Sequence, residues 1–303
     1  DDDYHFTYHG SSLTVGEAAQ AIEDFHVDAT ATYGDAPLQA LATTTSGLTV
    51  GFFSSNPEVL EVNGTQLKIR GAGTALITAY QDGDANFFGA SDLNATVTVH
   101  KAELQVIAHP ASKAYLDEVP ELSFHYEGFV NDENASALEE EPSISTTATA
   151  QSPAGEYPIT LNDGADANYH FHYVSSELSI GETTQHIDVF AVDSNATYGD
   201  DPLQIEGLAT SGLAVSYESS NPDVLEVNGT QLKVRGAGVA VIYANQSGSA
   251  NYLAAAERNA TVVVHPKELT VIAEPKSKAY LEPVPELTYH YQGFVNDENA
   301  SAL

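Results

Sequence analysis

Two short alternating runs flank an Asn-Gly pair in the stretch Val59-Leu-Glu-Val-Asn-Gly-Thr-Gln-Leu-Lys-Ile69. Apolar and polar residues alternate in each run, and this period of two is typical of strands that bury one face. An Asn-Gly pair favours a type I′ turn, because both central residues of that turn have a positive φ. The stretch therefore predicts a β-hairpin centred on Asn63 and Gly64.

The hairpin sequence recurs 165 residues later, between Val224 and Val234. A shift of 165 aligns residues 1–138 with residues 166–303 without a gap, and 87 of these 138 positions are identical. The first residues match a segment inside the repeat unit, and the last eleven repeat Gly128–Leu138 letter for letter. We therefore expect the chain to be a window of a longer tandem array.

Two module types alternate within the repeat unit. Module A covers residues 20–100 and again 185–265, and module B covers residues 101–184. Residues 1–19 are expected to be the last strands of a truncated module B, and residues 266–303 the first part of another. Short β-branched and aromatic runs between turn clusters predict an all-β fold of tandem Ig-like, β-sandwich or β-grasp-like modules in an elongated repeat array.

The amino-acid composition limits the kinds of molecule that the chain could bind and the compartment in which it could lie. The chain has 43 acidic and 10 basic side chains and a net charge of -33, which argues against nucleic acid as a partner. It contains no cysteine, so each module has to be held by a hydrophobic core. No apolar run approaches the length of a membrane span, and we expect no membrane insertion in this segment. We expect an extracellular or cell-surface location, with neighbouring modules, and in a fibre like chains, as partners.

Asparagines followed by X-Ser or X-Thr are candidate N-glycosylation sites. At Asn63 and Asn228 the hairpin turn already accounts for the Asn-Gly pair. The candidates are Asn63, Asn94, Asn134, Asn195, Asn228, Asn245, Asn259 and Asn299.

Acidic loops are candidate calcium sites, because Ca²⁺ takes six to eight oxygen ligands from carboxylates and carbonyls. Asp82 and Asp84 are Ser247 and Ser249 in the second copy, which argues against a dedicated site there. The remaining candidates are Asp132, Glu133, Asp163, Asp166, Asp297 and Glu298. These acidic residues are equally consistent with ordinary loop carboxylates that face solvent. Calcium is therefore the one cofactor that the sequence leaves as an alternative.

Histidines alternate with aromatic residues in Tyr169-His-Phe-His-Tyr173, so the imidazoles are expected on the face opposite the core. They are either solvated or part of a metal cluster formed with histidines of neighbouring strands. The histidines concerned are His5, His125, His170, His172 and His290. The chain has no nucleophile elbow, phosphate loop or His-Glu-X-X-His motif, and we expect no enzyme.

Module B carries a family pattern in Ser112-Lys-Ala-Tyr115, Tyr126-Glu-Gly-Phe-Val-Asn131, Ser152-Pro-Ala-Gly-Glu-Tyr-Pro-Ile159 and Asn168-Tyr-His-Phe-His-Tyr173. It resembles the MBG-type repeat of large bacterial surface proteins. Module A resembles the bacterial Ig-like repeats interleaved with it, through Thr32-Tyr-Gly-Asp35, Ser54-Ser-Asn-Pro57, Gly71-Ala-Gly73 and Asp84-Ala-Asn86. The resemblance implies Ig-like stalk domains of adhesins and biofilm-associated proteins.

The leading hypothesis is a structural spacer or stalk segment of a large repetitive cell-surface adhesin or extracellular filament. Short joints such as His100-Lys-Ala102 favour a semi-rigid rod. One alternative is a module that binds glycans or proteins through its loops. Another is a self-assembling fibre or surface-layer subunit completed by strand donation between chains, with Tyr4 to Val15 as the donor.

Overall fold

The computed structural model describes residues 2–303, and its regular secondary structure is almost entirely β-strand, which confirms the all-β prediction. The strands of the first module A are β1 (Ile22–His26), β2 (Thr30–Thr32), β3 (Leu38–Gln39), β4 (Leu41–Thr44), β5 (Gly51–Ser54), β6 (Leu60–Asn63), β7 (Gln66–Ile69), β8 (Gly73–Tyr80) and β9 (Leu93–His100). Those of module B are β10 (Ala102–Ala108), β11 (Ala111–Ala114), β12 (Phe124–Glu127), β13 (Ser143–Thr146), β14 (Gly155–Asn162), β15 (Tyr169–Val174) and β16 (Ser176–Gly181).

The second copies follow the same order. The second module A has β17 (Ile187–Val192), β18 (Asn195–Thr197), β19 (Leu203–Ala209), β20 (Ser216–Ser219), β21 (Leu225–Asn228), β22 (Gln231–Val234), β23 (Gly238–Asn245) and β24 (Arg258–His265). Residues 266–303 contain β25 (Thr270–Ala273) and β26 (Tyr289–Gln292). Two 3₁₀ turns, Ala135–Ala137 and Ala300–Ala302, make up the helical structure of residues 2–303, and neither is long or apolar enough to cross a membrane.

The chain divides into two compact units. The first comprises the residues up to Ala111 together with Glu121–Thr147 and Tyr157–Leu178. The second comprises Ser112–Pro120, Ala148–Glu156 and Ser179–Leu303. Each unit therefore contains one complete module A, and residues of the central module B contribute to both.

Module A is a sandwich of antiparallel strands with one parallel pair. In the first copy one sheet has the order β2-β9-β8-β5, in which β2 is parallel to β9, and the facing strands are β3-β7-β6 and the pair β1-β4. In the second copy β19 spans the counterparts of β3 and β4 and joins a four-stranded sheet β17-β19-β22-β21. Alternate apolar residues of these strands, such as Leu60, Leu67 and Ile77, are fully buried.

The hairpin prediction is confirmed, but its predicted centre was wrong by one residue. Asn63 pairs with Gln66, so Gly64 and Thr65 form the two-residue loop. Gly64 has a φ of 64° and Thr65 is not among the residues with positive φ, which is the pattern of a type II′ turn with glycine first. The second copy repeats this arrangement with Asn228 paired to Gln231.

Module B contains a three-stranded and a four-stranded sheet. The first has the order β12-β10-β15, with β12 antiparallel and β15 parallel to the central strand. The second has the order β11-β16-β14-β13. Tyr169 and Phe171 of β15 point into the core, whereas His170 and His172 are exposed, as the alternation predicts. The parallel pairing of β10 and β15 needs a long connection, which residues 109–168 provide.

Candidate functional site: the joint between modules A and B

The first A–B joint, between residues 20–100 and 101–184, has no linker. Strand β9 ends at His100 and β10 begins at Ala102. One hydrophobic cluster contains Tyr33 and Ile77 of module A together with Leu104 and Tyr169 of module B. The core of module A therefore continues into module B across the joint.

Tyr169 occupies the centre of this joint and is 2 % exposed. Its ring meets Tyr33 edge-on at 5.7 Å and Phe129 at 5.4 Å between centroids. Its hydroxyl donates to Glu133 Oε2 at 2.6 Å, and the backbone N–H of Val130 donates to that hydroxyl at 3.1 Å. Tyr33 donates to the other oxygen of Glu133, Oε1, at 2.7 Å. One carboxylate thus joins tyrosines from the two modules.

Burial controls the ionisation of these tyrosines. It raises the pKa of Tyr169 well above its ordinary value of 10, and the hydrogen bond to the Glu133 carboxylate raises it further. The pKa of Tyr33 is raised by burial and by the same carboxylate. Burial also raises the pKa of Tyr126, in the neighbouring strand β12, to about 12. The hydroxyls of Tyr169 and Tyr33 therefore stay protonated, and donate to Glu133, at pH values at which exposed tyrosines ionise.

Two hydrogen bonds between side chains and backbone, and the close approach of a glycine, complete the first joint. The backbone N–H of Ala72 donates to Asn168 Oδ1 at 2.9 Å, and Lys101 Nζ donates to the Asp166 carbonyl at 2.7 Å. Gly34 has a φ of 95°, and a Cβ at that position would lie 2.6 Å from Val130 Cβ. Only glycine fits this approach of module A to module B.

The second A–B joint, between residues 185–265 and 266–303, repeats half of this arrangement. Tyr198 donates to Glu298 Oε1 at 2.6 Å, as Tyr33 does to Glu133. Beside it lies an open groove with a volume of about 370 Å³. The groove is lined by Tyr198, Gly236, Leu269, Phe294, Val295 and Glu298, among others. Four of these residues, Tyr198, Phe294, Val295 and Glu298, are the counterparts of the residues that contact Tyr169 in the first joint.

The N-terminal segment carries the counterparts of β15 and β16 but is exposed. Tyr4, the counterpart of Tyr169, is 72 % exposed, and Phe6 and Tyr8 are exposed as well. Leu13 and Val15 are exposed, although their counterparts Leu178 and Ile180 are buried. The same apolar face is thus packed in one copy and in solvent in the other.

The B–A joint, between module B and residues 185–265, is also packed. Asn251 Oδ1 accepts from the backbone N–H of Ala154 at 2.9 Å, and the Asn251 carbonyl accepts from the N–H of Thr183 at 2.9 Å. Tyr115 and Tyr252 meet edge-on at 5.5 Å. Both kinds of joint therefore combine aromatic packing with hydrogen bonds to an asparagine.

The predicted glycosylation sites lie on the surface, with one half-buried. Asn134 and Asn299 precede the two 3₁₀ turns and accept from Ser136 and Ser301 through Oδ1. Asn245, at the end of β23, is the half-buried one. The exposed candidates are Asn63, Asn94, Asn134, Asn195, Asn228, Asn259 and Asn299.

The predicted calcium ligands do not converge. Both oxygens of Glu133 accept tyrosine hydroxyls, and Asp166 Oδ1 accepts the N–H groups of Asn168 and Tyr169. Asp163 Oδ2 accepts the Ser143 hydroxyl at 2.7 Å. Asp132 and Asp297 are exposed loop residues with positive φ. Glu298 accepts a hydrogen bond from the Tyr198 hydroxyl. Within residues 2–303 no three His, Cys, Asp or Glu side chains stand where they could share a metal ion.

One histidine contact was missed by sequence reasoning. His109 Nε2 lies 2.8 Å from His125 Nδ1, and the two rings stack at 4.9 Å. His125 Nε2 is also 3.5 Å from Glu127 Oε1. His109 directly follows β10 and His125 lies on β12, so the contact between them could have been predicted only from the pairing of these two strands. In the second copy Glu274 replaces His109.

Comparison with protein families identifies module B. Residues 104–179 and 269–303 match the family described as MBG domain (YGX type). The predicted resemblance of module B is thereby confirmed. A search of curated proteins finds no match to this sequence.

Solved structures match this chain at low similarity. Drosophila N-cadherin EC1-4 is 10% identical over 82% of this chain and 75% of its own, with a TM-score of 0.28. The surface layer protein SbsC, domains 1-6, is 11% identical over 90% of this chain and 48% of its own, with a TM-score of 0.23. The Bacteroides ovatus glucan-utilization protein SGBP-B is 13% identical over 88% and 76%, with a TM-score of 0.24. Similarity at this level supports no inference about function.

Proposed function

We propose that this chain is a structural spacer in an extracellular, repeat-type surface protein, such as an adhesin stalk or a filament. The observation that supports it is that modules follow one another through packed joints, with Tyr169 in one kind and Tyr252 in the other. The MBG-type repeats of module B agree with such a role.

Packed joints make the spacer resist bending. Removing a buried aromatic side chain costs about 3–5 kcal/mol, so opening the joint around Tyr169 should cost a similar amount. Each 1.4 kcal/mol is tenfold in population, and an open joint should be present at roughly 1 in 100 or less. Strands of this length should give each module about 30–40 Å of reach.

Charge and glycans would keep such a surface hydrated. The net charge of -33 makes neighbouring spacers repel one another unless salt screens them. The exposed sequons are further proposed to carry N-linked glycans. At Asn134 and Asn299 the turn uses Oδ1, which leaves Nδ2 as the atom for glycan attachment. Intact mass of the protein from its native source, before and after enzymatic deglycosylation, tests this.

The spacer role is tested by placing the chain between a cell-surface anchor and a binding head of known ligand. Removal of one whole repeat, residues 20–184, should shorten the distance at which the head captures its ligand, measured by force microscopy. Tyr169→Ala should keep the contour length but make the spacer more flexible. Phe53→Ala, an exposed aromatic outside the joints, is the matched control.

A loop-mediated binding module predicts the opposite pattern. Loop substitutions such as Asp82→Asn with Asp84→Asn would then reduce adhesion of the chain without its binding head, and removal of a repeat would not change reach. Adhesion that depends on the loops alone would overturn the spacer proposal.

A further inference from the structure

We propose that His109 and His125 form a binding site for one divalent transition-metal ion of the zinc, nickel or copper class. The ion would join the end of β10 to the neighbouring strand β12 through one imidazole from each side. This inference goes beyond the spacer role, because it assigns a ligand to module B.

Strand pairing brings the two imidazoles together. Strands β10 and β12 are antiparallel, with Ile107 opposite His125. The pairing continues past the end of β10, because the backbone N–H of His109 donates to the Ser123 carbonyl at 2.9 Å. His109 and His125 are therefore diagonal neighbours on the same face of the sheet, which is the solvent-exposed one.

The distance between the two rings suits a shared metal ion. His109 Nε2 lies 2.8 Å from His125 Nδ1. Metal–imidazole bonds are about 2.0–2.1 Å long, so two such ligands at a right angle around one ion are about 2.9 Å apart. At a tetrahedral angle the same two ligands are roughly 3.3 Å apart. A small rotation of the two rings therefore directs both nitrogens at one ion.

Each imidazole has a polar partner at the nitrogen that faces away from the shared position. His125 Nε2 is 3.5 Å from Glu127 Oε1, and because a carboxylate only accepts, the ring proton of His125 belongs on Nε2. His109 Nδ1 is 3.0 Å from Ser123 Oγ, which can accept as well as donate. Outer partners of this kind set the tautomer of metal-binding histidines and raise the affinity for the ion.

The protons of the pair balance when an ion binds. Before binding, the tautomer that satisfies these groups has His109 Nε2–H donating to His125 Nδ1 and Ser123 donating to His109 Nδ1. On binding, the His109 proton moves from Nε2 to Nδ1, where Ser123 Oγ accepts it. The ion thus replaces one hydrogen bond between neutral rings, and no proton is released.

The surroundings favour a cation and leave room for water ligands. The side chain of His125 is 44% exposed and that of Glu127 is 64% exposed. Water can therefore complete the coordination of an ion that has two protein ligands. The net charge of -33 attracts cations to the surface, and Glu127 adds negative charge beside the pair.

The second copy of this sheet predicts one such site in the chain. Glu274 replaces His109, and its Oε1 lies 3.7 Å from Nδ1 of His290, the counterpart of His125. Lys276 places its ammonium 3.5 Å from Glu274 Oε2, whereas the first copy has an alanine, Ala111, at that position. A positive charge so close disfavours a second cation.

Isothermal titration of the full chain with ZnCl₂, repeated with NiCl₂, tests the proposal. We expect one ion per chain, and CaCl₂ in excess should not displace it, because Ca²⁺ takes oxygen ligands. His109→Ala and His125→Ala should each weaken binding by at least about tenfold. Glu127→Ala, which removes only the outer partner of His125, should weaken it about tenfold.

The matched control is the double variant His170→Asn with His172→Asn. Both histidines are exposed on β15, on the same face of the same sheet. This variant should bind the ion like wild type. All of the substituted histidines are exposed, so these variants should fold.

A local readout separates this site from binding to scattered carboxylates. With ZnCl₂, hydrogen exchange should slow at the backbone N–H of His109, and the melting temperature should rise as the ion concentration increases. Both changes should occur in wild type and in the double control variant. Neither should occur in His125→Ala.

Three results would overturn the proposal. One is a wild-type chain that binds neither Zn²⁺ nor Ni²⁺ in the titration. Another is binding that His109→Ala and His125→Ala leave unchanged. The third is binding that is lost in the His170→Asn, His172→Asn variant, which would place the ion on β15. None of these results bears on the spacer role, which is tested by reach.

Discussion

The two A–B joints have nearly the same sequence and different degrees of burial. In the first, Tyr169 packs between Tyr33 and Phe129 and closes the core. In the second, Tyr198 and Phe294 border an open groove. The cluster of buried residues in the second module A ends within that module, whereas the cluster in the first continues into module B. The strand that closes a joint is therefore separate from the strands that form its walls.

This difference shows that local sequence does not set burial in module B. Val106 and Val271 stand in almost identical stretches, yet one is fully buried and the other is mostly exposed. The covering strand β15 begins more than sixty residues after the strand it pairs with. Burial in this module is thus decided by contacts that are distant in sequence.

Removal of Tyr169, the side chain that closes the first joint, is the strongest test of the difference between the two joints. Tyr169→Ala should cost the first unit about 3–5 kcal/mol, because it deletes a buried ring and leaves Glu133 with one donor fewer. Tyr4→Ala should change stability by less than about 0.5 kcal/mol, because Tyr4 is exposed. Hydrogen exchange in increasing urea gives the free energy for each unit separately. Equal losses for the two variants would contradict the difference between the joints.

Glycine substitution compares the walls of the two joints. Gly34→Ala should cost about 1–3 kcal/mol, because its φ of 95° is unfavourable and its Cβ would overlap Val130. Gly199→Ala meets the same strain against Val295, but Val295 borders the groove and can shift, so the cost should be smaller.

Gly47→Ala is the control for backbone strain alone, because Gly47 has a φ of 78° and no atom within 4 Å of the added Cβ. The free energies of unfolding from urea titration decide the order. A Gly199→Ala cost above that of Gly34→Ala would show that the open joint is the more rigid one.

Alkaline pH should weaken the first joint. The folded chain holds the pKa of Tyr169 and Tyr33 above the unfolded value of 10, so their stabilising contribution is complete below pH 10 and is lost as pH rises toward the folded values. Melting temperature should therefore fall between pH 10 and 11.5. Tyr169→Phe should melt lower at pH 8 but lose less over that interval, and Tyr4→Phe should follow wild type. An unchanged slope in Tyr169→Phe would exclude Tyr169 as a source of the alkaline loss.

The sequence predicts the modules well and the joints poorly. Alternation in Val59–Ile69 and in Tyr169–Tyr173 predicts strands and their buried faces, because both depend on neighbouring residues. The hairpin centre was missed, because the Asn-Gly preference does not fix which residue pair closes the loop. Glu133 was predicted as a candidate calcium ligand, and its two tyrosine partners lie 36 and 100 residues away. No local pattern could have brought those three residues together.

The smallest expected effect is a control in which the two copies of module A should agree. Arg70 Nε donates to Glu61 at 2.6 Å, and Arg235 Nε donates to Glu226 at 2.6 Å, with all four side chains about half exposed. Arg70→Ala and Arg235→Ala should each cost about 0.2–1 kcal/mol, and less in 1 M NaCl, because exposed ion pairs are screened. Thermal unfolding at low protein concentration measures both. Because Arg235 also lines the groove, a larger loss for Arg235→Ala would show that its guanidinium stabilises the groove beyond its ion pair with Glu226.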